Sequence, residues 1–163
     1  MKKIFLIFSA VFLFFTAKSQ TVSSNDLQGI TGNWTGQLSY LNYSDNKEVT
    51  IKAILAVVKK KKKNYFVLNF DYPDEAGHGS KEKYQIRNKG RNINNQLVIE
   101  RTVLEDGSIK IVLEEKGKDG NDQKPATFHH VLVLGTKTFT ISKLVKFENE
   151  ADFFQRNKYS FSR

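Results

Sequence analysis

From Trp34 to Arg163 the chain alternates apolar and polar residues with a period of two, interrupted at regular intervals by turn formers. Successive side chains of an extended strand point to opposite faces, so this pattern calls for strands that each hide one face. Trp34, Gly36, Leu38 and Tyr40 share one face of the first segment, opposite Thr35, Gln37 and Ser39. Val49, Ile51, Ala53, Leu55 and Val57 follow on the second, and Phe66, Leu68, Phe70 and Tyr72 on the third. Further segments read as strands at 81–87, 96–103, 109–115, 127–134, 139–147 and 156–163.

Most of the connections have hairpin chemistry. Glu105-Asp106-Gly107 and Gly117-Lys118-Asp119-Gly120-Asn121-Asp122 supply residues that tolerate the positive φ of tight turns. About nine strands joined by short hairpins form a meander of antiparallel neighbours. Closing that sheet hides the apolar face and removes both edges, so the expected fold is an all-β, antiparallel up-and-down barrel of about eight to ten strands. A two-sheet sandwich satisfies the same alternation. Glu148 to Phe154 has near-helical apolar spacing and suits a single turn that plugs one end.

Residues 1–19 stand apart. Lys2 and Lys3 precede an apolar run from Ile4 to Phe15, and Ala17-Lys18-Ser19 gives a small-x-small cleavage pattern before Gln20. The run is about a dozen residues where a bilayer span needs roughly 20, so it reads as a cleaved signal peptide. The expected product is exported, periplasmic or extracellular, soluble and not membrane-spanning. Residues 20–30 read as a polar lead-in and residues 31–163 as one barrel domain. No cysteine is present, which leaves stability to the core alone. Loss of Lys2, Lys3 and Lys18 with the leader lowers the formal charge from +9 to +6. A basic exported protein is drawn to anionic surfaces, and Lys59–Lys63 is a candidate contact with an anionic cell envelope or a solvated hairpin tip. No nucleic-acid-binding motif is present.

Gly32-Asn33-Trp34 opens the first strand, and Arg163 closes the last. On these residues the chain resembles the lipocalin and fatty-acid-binding superfamily, the calycins. The resemblance implies a closed barrel in which Gly32 and Trp34 form the sealed end and an arginine, Arg163 or else Arg156, packs across the indole. It also implies an interior that binds a small hydrophobic or amphipathic molecule.

The interior face names the candidate binding residues: Tyr40, Leu55, Leu68, Phe70 and Ile141, with Arg101 and Lys143 as basic residues in otherwise apolar rows. Either cation would orient the charged end of an acidic ligand, or would snorkel to solvent or pair with a neighbouring carboxylate. His129 and His130 must point to opposite faces, and His130 goes inward if Phe128 and Leu132 do. His78 lies in an Asp74-Glu75-Ala76-Gly77-His78 loop with weak cation-binding character. No nucleophile elbow, zinc signature or phosphate loop appears, so the chain reads as a non-enzyme without cofactor or metal. The rival to a ligand carrier is an envelope interaction module with a filled core.

Overall fold

Each alternating segment pairs with its neighbour in chain order, and the last returns to the first. A computed structural model describes residues 20–45, 47–60, 65–75 and 77–163. Its strands are β1 (Gly32–Leu41), β2 (Glu48–Lys60), β3 (Tyr65–Asp71), β4 (Ser80–Arg87), β5 (Asn92–Ile93), β6 (Gln96–Val103), β7 (Ile109–Asp119), β8 (Lys124–Leu134), β9 (Thr138–Phe147) and β10 (Phe154–Ser162). All pairings are antiparallel and the ring closes through β1 and β10, where Leu38 faces Tyr159. The barrel therefore replaces the sandwich alternative. The signal-peptide reading of residues 1–19 falls outside the described residues. Among the described residues no helix is long and apolar enough to cross a membrane.

The tenth strand is β5, two residues long, which bridges β4 and β6. Asn94 makes its turn at φ 56°, and its side-chain amide donates to the Lys83 carbonyl at 2.6 Å. The expected helical turn at 148–154 is instead a turn and a bend, with Phe154 already in β10. Phe154 is held as a strand residue by its ring contact with Phe147, 5.8 Å between centroids, in a satellite cluster with Ala126, Phe128 and Val145.

Five connections lie at one end of the barrel and the rest, with both termini of the sheet, at the other. The latter end is plugged. Trp34 is 1% exposed, meets Phe139 edge-on at 5.9 Å, and donates from Nε1 to the Ile30 carbonyl at 2.8 Å. The Arg163 guanidinium lies 4.1 Å from the indole and donates to the carbonyls of Thr31 and Gly29 at 2.8 and 2.9 Å, and to Thr136 at 3.1 Å. Arg163, not Arg156, is thus the sealing arginine.

The lead-in read as polar belongs to this plug. Val22, Leu27 and Ile30 are buried in the main core because the 3₁₀ turn Gln28–Ile30 folds them across the barrel end. Val22 donates to Gly90, whose φ of 89° and contact with the Val22 backbone leave no room for a Cβ. Gly36 meets a similar limit, since a Cβ there would strike the Ser160 carbonyl across the β1–β10 seam.

Trp34→Ala and Arg163→Ala are expected each to destabilise the fold, with a combined cost smaller than the sum by about 0.5 to 1 kcal/mol, the scale of an exposed cation–π contact. Urea unfolding of the two single variants and the double variant measures the coupling. Strict additivity would mean that the stacking is energetically empty.

Candidate functional site

The barrel is solid in one half and hollow in the other. Leu55 and Leu68 are 0% exposed and Phe70 3%, and all three pack in the core with Trp34, Phe66 and Phe139. Among the described residues they line neither of the two chambers at the open end, because they belong to the packed layer that rests on the lead-in plug. Above that floor, two adjoining chambers occupy the open end.

The inner chamber is about 330 Å³. One wall comes from β4 to β6 with Glu82, Tyr84, Asn94 and Gln96, and the other from β8 to β10 with His130, Ile141, Lys143, Asn157 and Tyr159. The outer chamber, about 320 Å³, is walled by Leu38, Tyr40, Ile51 and Tyr72, with Glu75 and His78 from the β3–β4 loop at its rim. Asn157 reaches both chambers. Between them the hydroxyls of Tyr72 and Tyr159 share a hydrogen bond of 2.7 Å. Burial, the bond to Tyr72 and nearby negative charge all push the Tyr159 phenol upward, so it stays neutral.

Tyr40, Ile141 and Lys143 therefore stand where a ligand can reach them. Arg101 does not. A bulge between Val98 and Glu100 breaks the alternation of β6 and leaves Ile99 exposed, and Arg101, opposite Ile111, lies further along the strand at the plugged end. There its guanidinium binds Asp26 at 2.6 and 3.1 Å and its backbone N–H donates to the Gln20 side chain. Arg101 latches the lead-in and faces neither chamber.

Lys143 lines the inner chamber but is already engaged. Its Nζ lies 3.2 Å from Asp119 Oδ1 and 4.2 Å from the Phe128 ring centroid. Asp119, with a side chain 2% exposed, also accepts from Tyr43 at 3.0 Å and from Arg156 Nε and Nη2 at 3.0 and 2.8 Å. Arg156 lies between the rings of Tyr43 and Phe154. This cluster ties the β7–β8 hairpin to the β1–β2 hairpin across one side of the mouth. Burial pushes the Asp119 carboxyl up, but Lys143, Tyr43 and Arg156 together hold it below the ordinary carboxylate value. Sequence reasoning missed Asp119 because it stands in an Asp-Gly turn signal.

His130 faces inward as its parity with Phe128 and Leu132 requires, and sits 2.8 Å from Glu115 Oε1. Burial lowers its pKa, Glu115 opposes that in part, and the net effect keeps the imidazole neutral at pH 7. His129 points outward, stacked on Phe153 at 4.0 Å and bonded to Glu114. Among the described residues no three histidine or acidic side chains converge to hold a metal ion.

Glu82 is the other residue that sequence reasoning passed over. It shares a strand face with Tyr84 and Ile86, so period two would have placed it inside. It is exposed and lines the inner chamber, and the desolvation it meets there raises its pKa. Among the described residues it has no ion-pair or hydrogen-bond partner.

Lys59 and Lys60, the described part of the lysine run, lie at the plugged end, opposite the mouth. Lys59 donates to Gln28 at 2.9 Å and lies over Phe66, while Lys60 is exposed. Lys61 to Lys63 are outside the described residues. No protein-family model and no curated protein matches the chain.

Asp119→Asn leaves the buried Arg156 without its counter-charge and is expected to cost about 3 to 5 kcal/mol, while Asp119→Leu with Arg156→Leu recovers much of that loss. Chemical unfolding checks both. Stability is also expected to fall as pH drops through the carboxylate range. Asp26 and Asp119 have folded pKa values below their unfolded ones, so their contribution is present above the ordinary value and lost below it. His130, also depressed, adds a penalty that begins below about pH 6.5. Urea midpoints from pH 7 to pH 3 should decline in these two stages, and His130→Gln should remove the earlier one.

Proposed function

We propose that this chain is an exported, calycin-like barrel that binds a small amphipathic molecule at its open end. The observation that carries the reading is a packed floor beneath two adjoining chambers of about 330 and 320 Å³, each at the lower end of ordinary ligand-pocket size. The apolar part of the ligand lies against Leu38, Ile51 and Ile141, and the polar part among the groups of the inner chamber. The Tyr72–Tyr159 hydrogen bond is the partition that a longer ligand must displace.

The floor supports kinship with the calycins, because a tryptophan of the first strand is sealed by an arginine that follows the last. Export rests on the lysine-initiated apolar segment at residues 4–15 and the small-residue cleavage pattern after it. Binding rather than catalysis fits the mouth, where His130 and Lys143 each have a carboxylate partner.

Asn157→Trp fills the one position common to both chambers. It is expected to abolish uptake of small amphipathic molecules while leaving the unfolding midpoint near that of the parent chain. Native mass spectrometry of both proteins from the same host reads the outcome, and equal copurification of ligand would place the site elsewhere.

A further inference from the structure

We infer that the barrel wall binds an extended acidic segment of a partner protein, added as a strand along the free edge of β7 at Lys116 and Lys118. The inference stands apart from the mouth reading and rests on strand register. Among the described residues β6 meets β7 from Leu97 opposite Glu114 to Val103 opposite Ile109, whereas β7 runs on to Asp119 against β8 alone. β4 likewise runs from Ser80 along β3, but β5 covers only its Ile86 and Arg87. The mouth half of the wall therefore has a notch between β4 and β7, with β5, the Asn94 turn and the start of β6 at its foot. The inner chamber lies behind it, since Glu82, Tyr84, Asn94 and Gln96 line that side.

Alternation fixes which backbone groups face the notch. The Ser108 carbonyl accepts from Leu104 across the β6–β7 hairpin, so every second residue of β7 turns its N–H and C=O toward the β6 side. Beyond Glu114 these are Lys116 and Lys118, and no described residue bonds to them there. On β4 the corresponding residues are Lys81 and Lys83, but Asn94 already donates to the Lys83 carbonyl at 2.6 Å. β7 offers the fuller edge for a strand to join.

The side chains set the partner's charge. Lys116 and Lys118 point outward, because Glu115 and Asp119 turn inward to His130 and Lys143. Lys81 and Lys83 point outward from the other bank, on the face opposite the buried Tyr84. All four are exposed, and none forms an ion pair among the described residues; Lys83 lies 4.8 Å from the Tyr65 ring centroid. The carboxylates that share the outer faces of β3, β4 and β7 here are Glu114, bonded to His129, and Asp71. Positive charge is in excess. Lysines on both banks repel a second copy of the same edge, yet they attract a strand whose outward side chains are acidic, since carboxylates in register fall beside ammonium groups. Lipid phosphates would meet the lysines alone, whereas an extended backbone also satisfies the N–H and C=O groups between them.

The test titrates the full chain with a capped seven-residue peptide of alternating Glu and Val, its Lys/Val counterpart, and two forms of the acidic peptide N-methylated at either its Glu or its Val residues. Calorimetry reads affinity and amide hydrogen exchange reads position. The acidic peptide should bind, the basic one should not, and exchange should slow at the Lys116 and Lys118 amides. One of the two methylated forms should bind about tenfold or more weakly, as loss of several ladder bonds requires. Lys116→Glu with Lys118→Glu should weaken the acidic peptide by a similar factor at the parent's unfolding midpoint, while Lys60→Glu with Lys137→Glu, at the plugged end, should not. Methylated forms that both bind like the parent peptide, unchanged exchange at Lys116 and Lys118, or association with phosphatidylglycerol vesicles in place of the peptide overturns the inference. Uptake of amphipathic molecules at the mouth is read separately and stands or falls on its own.

Discussion

The seam between β1 and β10, with the plug beneath it, is the constraint on which the rest depends. A meander of strands acquires an inside only when its two edges meet, and here the edges meet over Trp34. The indole hydrogen bond to Ile30 and the Arg163 bonds to Gly29 and Thr31 draw the lead-in across the barrel end. The buried Ile30 carbonyl, which would otherwise face an apolar core, is satisfied by the same indole that fills it. Arg101 holds the far side of the lead-in through Asp26. With the floor filled by the chain itself, whatever space the barrel encloses must lie at the opposite end.

The two ends solve the burial of charge differently. At the mouth Asp119 gathers two cations and a phenol while shielded by aromatic rings, and this fixes two hairpins that share no strand pairing. Glu82 sits in the same half of the barrel without such company. One carboxylate has structural partners in excess and the other has none among the described residues. That asymmetry distinguishes an architectural charge from one facing an open space.

Much of the fold was legible because period two survives in most strands. Trp34, Leu55, Leu68 and Phe139 fall on the inner face as their alternation requires. The reading failed where local geometry broke the period. The β6 bulge separated Ile99 from Arg101, and the short β5 was concealed in a segment that reads as turn. Burial of the lead-in was hidden because three apolar residues among polar ones form no strand pattern, and their partner surface is the end of a barrel assembled from distant sequence. The site was less legible than the fold. Lys143 announced itself as a charge in an apolar row, whereas Glu82 was obscured by Lys81 and Lys83 on either side. Its partnerless state depends on tertiary neighbours that no local pattern encodes.

The β1–β10 seam also governs when the molecule can form. Thr35 must find Ser162, a pairing between opposite ends of the domain, while every other ladder among the described residues joins strands adjacent in the chain. Hairpins can assemble early and locally, but the contact that converts a curved ribbon into a vessel has the highest loop-closure cost. Until that contact is made, two long edges are open to association with other chains. The outward face of β1, with Asn33, Thr35, Gln37 and Ser39, is polar along this vulnerable edge. Slow closure and a water-compatible waiting strand are thus two aspects of one topology.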